Sequence, residues 1–178
     1  MSLKKDLELF DGKHISMLER IAEHYRPSSA RIAELLELAG APNPRMQQAA
    51  TWILKRWLET GTSLSDEHIK GLTRVLSKIH HWEAMLHICQ MLSHLAIPRS
   101  CKKKIESFLL ARLTEENKFV RAWAYNGLYE LVKQLGDTGQ VMPLLMKGMN
   151  DEAASVRARV KNILEAIDTK RHRARHDQ

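Results

Sequence analysis

A regular stripe of apolar positions runs through the segment from Phe119 to Gly136. Intervals of three and four residues place the stripe on one face of an α-helix, whereas a strand would alternate at every second residue. Gly136 stands where such a helix would end. The pattern therefore predicts one helix over residues 119–136. The apolar positions of the stripe are Val120, Ala124, Leu128, Leu131 and Leu135.

The same register occurs four times along the chain. A near-constant period of this length indicates helical pairs that cannot bury their apolar faces alone and therefore stack around a continuous core. The first position of the register is occupied by Met46, Ala84, Val120 and Val156, at spacings of 38, 36 and 36 residues. The positions four, seven, eight and eleven residues further on hold Ala50, Ile53, Leu54 and Trp57; Ile88, Met91, Leu92 and Leu95; Ala124, Gly127, Leu128 and Leu131; and Val160, Ile163, Leu164 and Ile167.

Apolar periodicity, helix caps and breakers together predict an all-α fold. Serines at 28–29 and at 65 are the expected caps of two helices. Residues 137–140 are predicted as a loop, and residues 169–178, which lack apolar periodicity, as a disordered tail. The predicted helices cover 2–10, 13–25, 30–39, 45–60, 65–79, 82–96, 100–113, 119–136, 143–149 and 156–167.

The net charge of +7 widens the range of partners to consider. A basic chain suits nucleic acid, an anionic membrane surface or an acidic protein. Part of the charge is local, because the last ten residues carry a net +3 and the other 168 residues only +4. This basic tail fits either electrostatic binding to nucleic acid or an acidic surface, or a solubilising role.

Cysteine usage and apolar segments bear on the location of the protein. Two cysteines, Cys89 and Cys101, are too few for a disulfide framework and favour a reducing cytoplasm. The first ten residues include Asp6 and Glu8 and lack the apolar core of a signal peptide. No apolar run approaches the length of a membrane span, so we expect a cytoplasmic protein without a membrane partner.

Two segments of the chain resemble HEAT repeats, of the armadillo-type helical-repeat family. Residues 141–167, VMPLLMKGMNDEAASVRARVKNILEAI, have a proline early in the first helix, an acid at the turn and a Val-Arg pair five residues later. Residues 109–128, LLARLTEENKFVRAWAYNGL, match with Glu115 as the acid. The resemblance extends over about residues 28–168, although the second copy keeps only the apolar ladder.

The resemblance implies a right-handed α-solenoid of about four helical hairpins with N-terminal capping helices. In this family the turn acid caps the inter-helix turn and the arginine reaches toward a neighbouring repeat. These structural roles carry over to Asp151, Arg157, Glu115 and Arg121, whereas the first copy has Gln47 at the arginine position. The expected organisation is a single domain over 1–168, with capping helices at 1–27, repeats at about 28–61, 62–98, 99–136 and 137–168, and the tail at 169–178.

The resemblance also implies that the second helices line a concave binding surface. A row of outward positions with the period of the repeat reads Trp52, Gln90, Asn126 and Asn162, and aromatic and amide groups suit a protein or peptide partner. Packing of the aromatic residues against chain termini or a neighbouring repeat is the alternative. The candidate contact residues are Trp52, Lys55, Gln90, Tyr125, Asn126, Tyr129 and Asn162, and the same helical wheel also turns Gln48, Thr51 and Cys89 outward.

The sequence carries no recognisable catalytic, metal or cofactor motif. It has no phosphate loop, no nucleotide-binding glycine motif and no zinc-type cysteine spacing. His87 and His94 are seven residues apart and share a predicted helix face, but the histidines of this repeat lack the His-x3-His spacing of a helical metal site. Neither cysteine has a visible base beside it. We therefore expect neither enzymatic activity nor a metal or cofactor.

Three consecutive lysines, Lys102, Lys103 and Lys104, begin one predicted helix. Positive residues at a helix N-terminus oppose the helix dipole. Free N–H groups and three ammonium groups together would suit a phosphate or an acidic side chain. A solvated basic turn is the alternative interpretation.

These observations favour a non-catalytic interaction or scaffold module that binds a partner protein on the second-helix face, including as a regulatory or assembly subunit. The alternative is a nucleic-acid-binding protein that uses its basic patches. HEAT-like DNA glycosylases place a tryptophan and a carboxylate near the extruded base. Here Trp52 is followed four residues later by Arg56, and Trp123 by Gly127, so that activity is not expected.

Overall fold

The computed structural model describes residues 2–136 and 138–176, and all regular structure within them is helical. This confirms the all-α prediction. Short 3₁₀ turns cover Leu76–Lys78, Leu92–His94, Arg99–Cys101 and Thr138–Val141. The α-helices are α1 Leu3–Glu8, α2 Ile15–His24, α3 Ser29–Ala39, α4 Pro44–Glu59, α5 Asp66–Val75, α6 Trp82–Met91, α7 Lys102–Arg112, α8 Lys118–Leu135, α9 Met142–Gly148 and α10 Ala154–His176.

Short polar side chains begin several of these helices. Ser28 accepts a hydrogen bond from the Arg31 N–H at 3.3 Å, and Ser65 accepts one from the His68 N–H at 3.3 Å. Such caps satisfy N–H groups that the first helical turn leaves without a partner. Both predicted caps are therefore confirmed.

Most helices pack against a neighbour along the chain, and every second helix from α4 to α10 belongs to one row. The second helices, α4, α6, α8 and α10, contact one another in that order. Among the first helices, α3 packs on α4, α7 on α8 and α9 on α10, and α3 also contacts α5. The central helix α8 has α6 on one side, α10 on the other and α7 behind it. Each pair thus contacts mainly its neighbours in the sequence.

The repeated apolar register forms the core of this stack. Met46, Ala84, Val120 and Val156 are all buried, and nearly every later position of the register is buried too. Gly127 occupies one of these positions, where an added Cβ would lie 2.7 Å from Leu109 Cδ2 and would force that side chain to move. The register read from the sequence is therefore confirmed as the core.

Arg121 links the third pair to the fourth. Its Nε and Nη2 donate to the two carboxylate oxygens of Asp151, both at 3.0 Å, and its Nη1 donates to the Glu115 and Glu116 carbonyls at 2.7 and 3.0 Å. Asp151 also accepts from the Ala153 N–H at 2.8 Å, which caps its own turn. These bonds confirm the roles expected of Arg121 and Asp151.

The other two residues with expected turn roles behave differently. Glu115 accepts from Arg112 Nη1 at 2.5 Å instead of capping its turn, because Asn117 already occupies the cap of α8. Arg157 donates to the Asp151 and Glu152 carbonyls of its own pair, at 2.6 and 2.8 Å.

Gln47 takes the corresponding role between the first and second pairs. Its Nε2 donates to the Ala41 carbonyl at 2.9 Å and to the Lys78 carbonyl at 2.8 Å. Its Oε1 accepts from the backbone N–H groups of His80 and His81 at 3.0 and 3.1 Å. An amide, which both donates and accepts, joins two turns here although the second turn has no acid. The second pair has buried Met85 at this position, so its turn makes no equivalent link.

The first two helices occupy the N-terminal end of the stack. α2 packs on α4 and α1 on α3 and α4, as a preceding pair would. Tyr25 donates to Asp6 at 2.6 Å in a buried contact, and Trp57 Nε1 donates to the Ala22 carbonyl at 3.1 Å. Helices α1 and α2 thus extend the packing at the N-terminal end by one short pair.

Some predicted boundaries are wrong. α5 and α6 end at Val75 and Met91 and tighten into 3₁₀ turns, a common way to finish a helix. Residues 138–141 form a 3₁₀ turn where a loop was predicted. The backbone of 169–176 continues α10, against the predicted disordered tail. That segment has no Gly or Pro, and basic residues suit a helix C-terminus. Asp177 and Gln178 lie outside the described residues.

Candidate functional site

The predicted row on the second helices is accessible. Trp52, Gln90 and Asn126 are partly exposed and Asn162 is exposed. Trp52 also packs against the core, in part as the alternative interpretation proposed. The side-chain amides of Gln90, Asn126 and Asn162 make no hydrogen bond to any other part of the chain that the structure describes. One free amide per pair, on three successive helices, offers both donors and acceptors to a ligand.

The two tyrosines assigned to this surface are buried, which corrects the prediction. Tyr125 is 3 % and Tyr129 6 % exposed. Tyr125 packs on Gly148, where a Cβ would lie only 2.7 Å from its Cζ. The helical wheel treated α8 as packed on one partner, but α8 contacts α6, α7 and α10, so its free arc is narrow. Burial also raises the pKa of Tyr125.

Lys55 is partly covered and paired within its own helix. Its side chain is 16 % exposed and its Nζ lies 2.8 Å from Glu59 Oε1. An ion pair spaced four residues apart on a helix neutralises much of the charge that a partner would otherwise meet. The face that remains around the amide row is therefore polar with little net charge.

Three more residues that the wheel turned outward are buried. Gln48, Thr51 and Cys89 are 3 %, 0 % and 0 % exposed. Thr51 Oγ1 donates to the Gln47 carbonyl at 2.7 Å and lies 3.0 Å from His87 Nδ1. Because the hydroxyl proton is used on the carbonyl, we assign the ring proton to Nδ1, which donates to Thr51. Contact with α6 therefore covers Thr51, as contact with Gly148 of α9 covers Tyr125.

The candidate base His87 and the candidate nucleophile Cys89 are both buried and uncharged near neutral pH. Burial lowers the pKa of His87 to about 3, with smaller contributions from Lys55 and His81. Burial raises the pKa of Cys89 to about 12, so the reactive thiolate is not formed near neutral pH. Within residues 2–136 and 138–176, no three His, Cys, Asp or Glu side chains converge as metal ligands.

His87 and His94 do not share the face that their spacing predicts. His87 is buried within α6, whereas His94 is exposed in the 3₁₀ turn that follows that helix. The change from α-helix to 3₁₀-helix between them shifts the angular spacing of side chains.

The three consecutive lysines are divided between two locations. Lys102 is half-buried and its Nζ lies beside Gly136 at the end of α8. Lys103 and Lys104 are exposed and line a groove of about 700 Å³ between α5 and α7. α7 has no side-chain cap and no acid in its first turn. The predicted cluster of three is therefore a pair of lysines on a groove.

The sequence analysis missed this groove and one exposed aromatic residue. The groove depends on how far apart two helices of different pairs lie, which no local pattern encodes. Trp82 is 42 % exposed at the start of α6, beside Glu115 and Glu116. The sequence signal for an exposed position was that Trp82 lies two residues before Ala84, where the apolar register of this helix begins.

No helix in the described part of the chain is both long enough and apolar enough to cross a membrane. Comparisons of the chain with protein-family models, with curated proteins and with solved structures give no match.

Proposed function

We propose that this chain is a non-catalytic interaction module, a right-handed α-solenoid of HEAT type that binds a protein or peptide partner on its second-helix face. The row of unpaired amides on α6, α8 and α10 carries this proposal. The order of contacts among the second helices and the Arg121–Asp151 link support the solenoid architecture.

The spacing of the row suits an extended segment of polypeptide. Packed helices lie about 8–10 Å apart, and an extended chain advances about 3.3 Å per residue. Each amide would therefore meet roughly every third residue of the ligand. Gln90, Asn126 and Asn162 would each bond one backbone N–H or carbonyl, and Trp52 would supply apolar contact at one end of the row.

Selection and titration test the proposal. Random peptides of about 12 residues are selected on the wild-type chain, and an enriched peptide is titrated against the double variant Asn126→Ala/Asn162→Ala. Two lost hydrogen bonds are expected to weaken binding by about tenfold or more. Helicity measured by circular dichroism is expected to stay unchanged, because both amides are free in the unbound chain.

Gln140→Ala is the matched control, since Gln140 is an exposed amide in the 3₁₀ turn after α8. It is expected to bind the selected peptide as the wild type does. Failure to enrich any peptide, or enriched peptides that bind the double variant with full affinity, would remove the amide row as the binding surface.

A further inference from the structure

The groove between α5 and α7 marks a discontinuity in the first-helix layer. α3 and α5 pack directly, and a Cβ added to Gly71 would lie only 3.4 Å from Leu36 Cδ1. α5 and α7 instead touch mainly through 3₁₀ turns, α5 with Arg99–Cys101 and α7 with Leu76–Lys78. The two helices therefore diverge and leave about 700 Å³ between them. The groove lies on the first helices and is separate from the amide row.

The groove has an apolar floor and a basic rim. Leu76, Phe108 and Ala111 are its apolar lining residues, and Thr73, Ser77 and Ser107 add hydroxyl groups. The cationic lining residues are Arg74, Lys103, Lys104 and Arg112.

The charge of the rim is largely unneutralised. Lys103 and Lys104 have no ion pair or side-chain hydrogen bond with any residue that the structure places. Arg74 lies only at 3.9 Å from the exposed Glu67. Arg112 is the exception, since it pairs with Glu115 at 2.5 Å and stacks on Phe108. Three cations thus face solvent around an apolar floor.

We infer that this groove docks an acidic amphipathic helix of a partner protein. The walls are helices whose backbone groups mostly bond internally, so an extended ligand would find few backbone partners there. A helix satisfies its own backbone and can bury one apolar stripe against the floor. Acidic residues flanking that stripe would meet Arg74, Lys103 and Lys104. The backbone of a nucleic acid would match the rim but would leave the apolar floor unused.

Fluorescence anisotropy tests the inference on the full-length chain. The probe is a labelled synthetic peptide of about 18 residues, with leucines at helical spacing and glutamates beside them. Lys103→Glu/Lys104→Glu is expected to weaken binding by at least about tenfold, because two attractions become repulsions. Ala111→Tyr, at an exposed position of α7, fills the groove without changing its charge and is expected to abolish binding.

Charge-matched controls separate the groove from general electrostatics. Lys118→Glu/Lys161→Glu reverses two exposed lysines outside the groove and is expected to change affinity little. Asn126→Ala is expected to have no effect, which keeps this result independent of the function proposed above.

Four results would overturn the inference. In the first two, the peptide fails to bind the wild type, or the Lys103/Lys104 variant binds it with full affinity. In the third, a scrambled peptide of the same composition binds equally well. In the fourth, duplex DNA binds more tightly and displaces the peptide.

Discussion

At the scale of single residues, burial decides which chemistry remains available to a side chain. A helical wheel assigns Cys89 to the surface, yet both Cys89 and His87 are buried. The histidine stays neutral and the cysteine stays a thiol as a result. The residue types alone suggested a metal ligand at His87 and a nucleophile at Cys89, but burial prevents both roles.

Burial of His87 predicts a specific dependence of stability on pH. The unfolded chain binds a proton at His87 below its ordinary pKa of 6.5, whereas the folded chain binds one only near pH 3. Stability therefore decreases as the pH falls through this window, by up to about 1.4 kcal/mol per pH unit. Between pH 7 and 5, the wild type is expected to lose about 2 kcal/mol more than His87→Gln in urea unfolding.

His94→Gln provides the control for the histidine prediction, because His94 is exposed in the turn after α6. Its pH profile should follow the wild type. A His87→Gln profile that also follows the wild type would show that His87 is protonated equally in the folded and unfolded chains.

At the scale of helices, the links between turns differ from one junction to the next. Arg121 joins the third and fourth pairs through a carboxylate, and Gln47 joins the first and second through backbone groups. Between the second and third pairs the buried Met85 makes no such bond at the turn, and Gln134 of α8 instead donates to the Leu92 carbonyl and accepts from the Ile97 N–H at the opposite end of the helices. The groove between α5 and α7 lies at this same junction. The junction that lacks a link from turn to turn is thus where the first helices diverge.

Replacement of Gln47 tests how much one such link contributes. Gln47→Ala would leave the N–H groups of His80 and His81 and the Ala41 carbonyl without the partner that the buried Gln47 side chain supplies. We expect the free energy of unfolding to fall by about 2 to 4 kcal/mol, measured by urea denaturation.

Gln90→Ala removes the same kind of side chain where it has no partner. Its effect on stability is expected to stay within about 0.5 kcal/mol. Similar losses from the two variants would mean that the bonds of Gln47 contribute nothing beyond local packing.

At the scale of the whole molecule, each pair contacts mainly its neighbours along the chain. Such a stack grows in one direction, with roughly 8–10 Å added per pair. A compact chain of 178 residues would instead have a radius of gyration of about 16 Å.

Small-angle X-ray scattering tests the proposed solenoid. We expect a radius of gyration above about 16 Å and a distance distribution with an extended tail. Measurement over a concentration series excludes self-association as the cause. A value at or below the compact limit, with a symmetric distribution, would contradict a solenoid.

The sequence by itself determined the helices, their caps and the apolar register. These properties arise within one segment, where the position of a residue along the helix decides which face it occupies. Val120, Val156 and Leu128 could be assigned to the core because each faces the helix of its own pair. The roles of the acids and arginines at the turns were implied by the resemblance to HEAT repeats, and two of these four residues act as expected.

Only the tertiary structure decided which outward positions stay exposed. Thr51 lies against His87 of the next second helix, Tyr125 packs on Gly148 of the next pair, and Tyr129 is buried as well. The separation of α5 and α7, and with it the groove beside Lys103 and Lys104, also depends on contacts between different pairs. The distance between two helices of different pairs depends on side chains that are far apart in the sequence. The periodicity within one helix therefore does not predict it.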